Sequence, residues 1–160
     1  MTELALPKID KDTISRKDQI VSHLKKFTKD ENILSENEEI KPYETDGLAA
    51  YKQTPLAVVL PENTKEVSEI LKFCNEENIK VIPRGAGTGL SGGALPLQDA
   101  ILLGLGKFNK ILEIDFENKC VVTQPGVTNL GITHAVQHKG YYYAPDPSSQ
   151  LACSIGGNVA

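Results

Sequence analysis

The stretch Pro83-Arg84-Gly85-Ala86-Gly87-Thr88-Gly89-Leu90-Ser91-Gly92-Gly93-Ala94 sets five glycines within nine residues, directly after an apolar run ending at Ile82. Glycine accepts positive φ and lets another group approach the backbone with no Cβ between them. Successive N–H groups in such a loop converge as an anion-binding nest, suited to a pyrophosphate. Thr88 and Ser91 add hydroxyl donors, and Arg84 adds a fixed positive charge. The order of glycines excludes two familiar phosphate loops. Gly85, Gly87 and Gly89 do not space as GxGxxG, and no Gly-Lys-Ser/Thr follows. Pro96 and the adjacent Gly92-Gly93 keep a helix from opening here, so the loop itself would hold the phosphate. A flexible linker is the bland alternative, but linkers seldom join two apolar strands.

The flanking pattern supplies those strands. Leu56 to Leu60 is a continuous apolar run between Pro55 and Pro61, which suits a buried strand. Asn63 and Glu66 open a helix whose Val67, Ile70, Leu71 and Cys74 recur on one face. Ile79 to Ile82 is a second strand, stopped by Pro83, and together these make a βαβ unit with a right-handed crossover. Upstream, Ser15 with Asp18 reads as the cap of a helix presenting Ile20, Val21, Leu24 and Phe27. Residues 28–40 read as a loop, and the segment to Tyr51 as an irregular connection. Downstream, Ile101 to Leu103 is apolar, and Leu112, Ile114 and Phe116 alternate with acidic residues before a hairpin turn at Asn118. Thr128 caps a helix that Gly140 ends. The expected fold is α+β: a βαβ start, then a mixed sheet with flanking helices, in a chain long enough to bury about 70% of its unfolded surface.

Composition removes other classes. Seventeen basic and twenty-one acidic side chains leave −4, with no basic stripe for nucleic acid or an anionic bilayer. No apolar run approaches the length of a transmembrane helix. The first eight residues lack the basic start and apolar run of a secretory leader. Cys74, Cys120 and Cys153 are odd in number and widely spaced, which reads as reduced thiols in a cytoplasmic protein. His134 and His138 have metal-ligand spacing but no third ligand at a convincing offset, so no metal site is assigned. Cys74 and Cys153 read as packing residues, Tyr141 to Tyr143 as a strand edge anchoring the domain, and Asp146 as a turn former between two prolines.

A second cluster lies near the end: Pro145-Asp146-Pro147-Ser148-Ser149 and then Cys153-Ser154-Ile155-Gly156-Gly157-Asn158. Prolines fix its approach, hydroxyls and an amide supply hydrogen bonds, and Gly156-Gly157 again admits close contact. Paired with the first loop, it reads as the other wall of one ligand site.

Together with Val59-Leu60-Pro61 and Gln124-Pro125-Gly126-Val127, these two clusters resemble the FAD-binding (PCMH-type) domain of the vanillyl-alcohol-oxidase-type flavoproteins. The branch most similar holds the FAD-binding subunit of glycolate oxidase and the FAD-linked D-lactate dehydrogenases. The resemblance runs from about Tyr43 to Ala160 and implies a fold, a cofactor and an activity. Residues 1–42 are then an N-terminal helical extension and 43–160 the FAD-binding domain, incomplete at its C-terminal end and without the substrate domain. The cofactor-binding residues it implies are Pro83, Arg84, Gly85, Ala86, Gly87, Thr88, Gly89 and Ser91 in the first wall. In the second they are Pro147, Ser148, Ser154, Gly157 and Asn158. Gly126 and Val127 match a strand end near the nucleotide. Thr88 stands where covalent members carry a histidine, so FAD is expected to be non-covalent. The implied activity is hydride transfer to flavin from a small 2-hydroxy acid of the glycolate or D-lactate type, with other subunits of an oxidase complex as partners. No catalytic residue is assigned within the chain, and the fragment alone is expected to be inactive. The alternative is a truncated, catalytically silent nucleotide-binding or interaction module.

Overall fold

The computed structural model describes residues 7–160; residues 1–6, most of the stretch read above as lacking a leader, lie outside the described residues. Its centre is a four-stranded mixed sheet in the order β1-β2-β4-β3, where β1 is Ile33–Leu34, β2 Ala57–Val59, β3 Lys80–Arg84 and β4 Ala100–Gly104. Strand β1 runs antiparallel to β2, while β2 and β3 both pair with β4 in parallel.

The apolar runs are continuous because both faces of β2 and β4 are covered. Ala57, Val59, Ile101 and Leu103 face a cluster containing Ile70, Phe73 and Cys74 of α4 (Thr64–Glu76). Ile20 and Leu24 of α2 (Lys17–Leu24) join the same cluster. Val58 and Leu102 face the other way, toward Ile40, Leu34, Tyr43 and Leu60. Each fully buried valine, leucine, isoleucine or phenylalanine among them contributes on the order of 1.5–3 kcal/mol. Burial also lifts the Cys74 thiol to about 11, so it stays an inert packing group.

The βαβ strands are parallel, as expected, with β4 inserted between β2 and β3. Several other expectations are corrected. Strand β3 does not stop at Ile82 but runs through Pro83 to Arg84. Being the sheet's edge, it tolerates a residue with no N–H to donate. Ser15 does not cap the helix that carries Ile20, Val21 and Leu24: the N-cap position of α2 is Arg16, with no side-chain capping bond, and Phe27 lies beyond its end. Asp10 caps a short α1 (Lys11–Ser15) by accepting from the Asp12 N–H, and Ser15 ends that helix. The loop expected at 28–40 contains a 3-10 turn (Asp30–Asn32), β1 and a four-residue α3 (Asn37–Ile40). On α4, Leu71 is exposed and Phe73 takes its place in the core.

Strands β5 (Ile111–Asp115) and β6 (Cys120–Thr123) form the expected antiparallel hairpin. An irregularity between Ile111 and Glu113 leaves Leu112 exposed rather than half-buried. The turn is tied by the Asn118 N–H donating to Asp115 Oδ1 at 3.0 Å, with Lys119 in the left-handed region. Helix α5 (Asn129–Val136) starts as expected, Thr128 Oγ1 accepting from the Gly131 N–H at 3.1 Å, and the following turn ends at Gly140 with φ +78°. A five-residue α6 (Ile155–Val159) follows the second cluster.

Candidate functional site

The glycine loop leaves the C-terminal end of β3 and returns to the N-terminal end of β4, its neighbour in the sheet. Gly87 requires its residue type, with φ at +71°. A Cβ there would also lie 2.6 Å from both Cζ and Nε of Arg84. The far part of the loop faces open space: a Cβ at Gly89 or Gly93 would meet nothing within 4 Å. Ala86, Gly89 and Ser91 are exposed, and Thr88 is half-buried.

The second wall is laid against α5 and the 124–127 segment by backbone hydrogen bonds. The Ile155 N–H donates to Val127 O at 2.8 Å and the Gly156 N–H to Pro125 O at 2.9 Å. From α5, the Asn129 N–H reaches Cys153 O, and the Leu130 N–H reaches Gln150 O, both at 3.2 Å. Gly156 must be glycine because a Cβ would stand 2.6 Å from Pro125 Cβ. Gly126, whose N–H donates to Phe108 O at 2.7 Å, is packed as tightly against the carbonyls of Leu105 and Phe108.

The two walls meet at Gly85. A Cβ on Gly85 would collide with Ser154 Oγ, and the Gly157 nitrogen lies 3.9 Å from the same point. The structure thus brings Gly85, Ser154 and Gly157 together. Pro147, Ser148 and Asn158 lie on the same second segment, where the Asn158 N–H donates to Ser154 O at 3.1 Å and the Gln150 N–H to Pro147 O at 2.9 Å. Ser154 is 5% exposed, and its Oγ is buried without a hydrogen-bond partner. Such an orphan costs on the order of 1–3 kcal/mol unless a ligand satisfies it.

Arg84 directs its guanidinium toward a neighbouring segment: Nη1 donates to Thr45 O at 2.7 Å and to Tyr43 O at 3.4 Å. The charge lies 5.7 Å from the Tyr43 ring centroid. Burial lowers the pKa of this guanidinium, against an opposing pull from Asp46. Sequence reasoning missed two further participants. Gly47 packs on the loop from outside, where a Cβ would fall 2.6 Å from Thr88 O and 2.7 Å from Gly89 O. Asn129 holds the proline turn, Nδ2 donating to Pro145 O at 3.0 Å, in the role expected of Asp146. Its only signal was a polar residue following a helix cap. Tyr141 to Tyr143 are not a strand edge; they run irregularly, with the Tyr143 N–H donating to Thr133 Oγ1 at 3.0 Å. His134 and His138 are exposed, the latter edge-on to Phe116.

A cleft of about 350 Å³ lies elsewhere, between the hairpin and helices α5 and α6, lined by Ile114, Val121, Ile132, Val136, Tyr143 and Ile155 among others. No glycine-loop residue borders it. Its apolar walls suit packing, not a phosphate.

The residues at the junction fit a dinucleotide diphosphate. Ser154 offers a buried hydroxyl without a partner, and glycines lie where side chains would fill the approach. Among the described residues, no helix is long and apolar enough to cross a membrane.

Residues 55–160 match the family described as the FAD binding domain. The glycolate oxidase subunit GlcD of Escherichia coli is 49% identical over 98% of this chain and 30% of its own length. The D-lactate dehydrogenase of Anaerostipes hadrus is 41% identical over 72% of this chain and 24% of its own. Among solved structures, p-cresol methylhydroxylase with substrate bound superposes with a TM-score of 0.78 at 24% identity, over 91% of this chain and 29% of that one, and shares its fold. The chain spans less than a third of the length of these relatives. The loop, the second wall and the matched segment coincide, and the chain belongs to the PCMH-type FAD-binding domain family, whose cofactor is FAD.

Proposed function

We propose that this chain is the flavin-holding portion of an oxidoreductase that oxidises a small 2-hydroxy acid, of the glycolate or D-lactate type, to the 2-oxo acid. The observation carrying this reading is the 49% identity to a glycolate oxidase subunit over 98% of the chain, both walls included. The 41% identity to a D-lactate dehydrogenase supports the same substrate class.

FAD, when bound, supplies the acceptor for the hydride that leaves the substrate α-carbon. This chain's share is binding and orientation. Backbone N–H groups of Gly85 to Gly89 and the hydroxyls of Thr88 and Ser91 would hold the diphosphate, and Ser154 Oγ, buried without a partner, would add a further donor. Pro83 sets the loop's departure from the sheet. Pro147 and Ser148 shape the second wall, with Gly157 and Asn158 completing it beside the junction. The glycine loop carries no histidine or cysteine, and Thr88 stands where covalent members carry a histidine, so the cofactor would be held non-covalently. By analogy with a relative named as a subunit, the partners are other subunits of an oxidase complex. Its free thiols Cys74, Cys120 and Cys153 suit the cytoplasm.

The test uses the intact protein that carries this chain. It should purify yellow, release FAD into the supernatant on acid precipitation, and bleach anaerobically with glycolate or D-lactate. Protein that takes up no FAD, or flavin that no 2-hydroxy acid reduces, would overturn the reading.

A further inference from the structure

We propose that the segment Tyr43–Gly47 is a strap that fixes the shape of the glycine loop, and that Arg84 is a positioning residue acting through this strap rather than a phosphate ligand. The proposal rests on the FAD reading above.

Two sets of contacts link strap and loop in opposite directions. From the base of the loop, Arg84 Nη1 reaches the Thr45 and Tyr43 carbonyls at 2.7 and 3.4 Å, with the Tyr43 ring beside the guanidinium. From the strap, Gly47 sits against the Thr88 and Gly89 carbonyls, so close that a Cβ would stand 2.6 and 2.7 Å away. Between them Asp46 is 5% exposed; its Oδ1 accepts from the Leu48 N–H at 2.9 Å, and its buried Oδ2 has no hydrogen-bond partner. That carboxylate attracts the Arg84 charge toward the strap. Gly87 lies directly over the guanidinium, so the same side chain also floors the loop at its positive-φ residue.

This arrangement needs the planar fork of arginine and not merely a positive charge. Nη1 alone bonds both strap carbonyls while Cζ, Nε and Nη2 lie under Gly87. A lysine ammonium keeps the charge and can bond the carbonyls, but has no planar group left to floor Gly87 and lie beside the Tyr43 ring. A charge in contact with phosphate would give an FAD affinity sensitive to ionic strength, whereas a half-buried brace behind the loop is screened less.

The test compares Arg84→Lys, Arg84→Gln and Gly47→Ala in the intact protein. Hydrogen exchange is followed in the apoprotein, and FAD affinity is measured at low and high salt. Loss of charge-assisted hydrogen bonds predicts about tenfold weaker FAD binding for both arginine variants. The salt dependence should match that of the wild type. Exchange should rise together in peptides covering 43–48 and 86–89, in all three variants. The Arg84→Gln/Gly47→Ala double variant should be little worse than Arg84→Gln alone, since either change already frees the same strap from the loop. Wild-type affinity in Arg84→Lys, or loop exchange that rises without strap exchange, would overturn the proposal. A wild-type protein that binds no FAD would instead strike the FAD reading, while the exchange coupling would still decide the strap.

Discussion

Ser154 Oγ occupies the space that a Cβ on Gly85 would take, so one hydroxyl closes the junction between two segments far apart in the chain. Gly85→Ala should therefore push the second wall away and remove FAD retention. Because the obstacle is a single side-chain atom, adding Ser154→Gly should restore folding stability to Gly85→Ala. Thermal denaturation of the single and double variants checks this; equal melting of Gly85→Ala and wild type would refute the contact.

Ser154→Ala alone should separate stability from binding. In the apoprotein it deletes an orphaned buried hydroxyl, so stability should stay level or rise by up to about 1 kcal/mol. FAD affinity should fall all the same if, as proposed, Ser154 Oγ donates to the diphosphate. Calorimetry of the apoprotein beside flavin titration reads both, and a drop in apoprotein stability without weaker binding would contradict the assignment.

At Gly87 the difficulty is in the backbone as well as in space. Its φ of +71° costs a β-branched residue most, and a Cβ meets the Arg84 guanidinium. Gly87→Val should abolish flavin retention, and Gly87→Ala should weaken it less. Flavin absorbance per protein after gel filtration gives the comparison.

The N-cap of α5 supports the second wall from below. Replacing Thr128 by alanine removes the acceptor for the Gly131 N–H and should cost about 1 kcal/mol. Exchange should rise first at residues 129–131 and 150–156, where α5 amides hold the wall's carbonyls. Denaturant melts with peptide-resolved exchange test it.

Acid should loosen the contacts that gather around Glu62, just beyond the end of β2. Hydrogen bonds from Lys29, Asn32 and Lys107 hold Glu62 at about 2, down from 4.5. A carboxylate depressed on folding contributes stability that is complete above the unfolded value of 4.5 and lost as pH falls toward 2. Glu62→Gln should flatten the fall of melting temperature across that window, and an unchanged profile would exclude Glu62 as its source.

Much of this was legible in the residues. Leu56 to Leu60, the α4 face and Ile101 to Leu103 were readable because two-sided burial leaves unbroken apolar runs. The glycine loop and the serine-rich wall declared themselves by glycine density. What stayed hidden is held by backbone or by distance. Strand β1 is two residues long and exists only by pairing with β2. Asp46-Gly47 engages the loop through carbonyls that no side-chain pattern announces. Arg84 carries a charge that suggested phosphate, yet its direction depends on a partner segment some forty residues upstream. Pro83 looked like a strand end because nothing local says that its strand lies at an edge.

That edge position ties the proposed cofactor loop to one of the two edge strands of the sheet. Strand β3 has one neighbour, β4, and β4 is the strand to which the loop returns. If β3 peels away, the loop loses its anchor at Arg84 while the rest of the sheet can stay paired. Cofactor release would then need only a local fraying event rather than global unfolding, and a bound diphosphate would in turn act as a clasp that keeps the outermost strand in register.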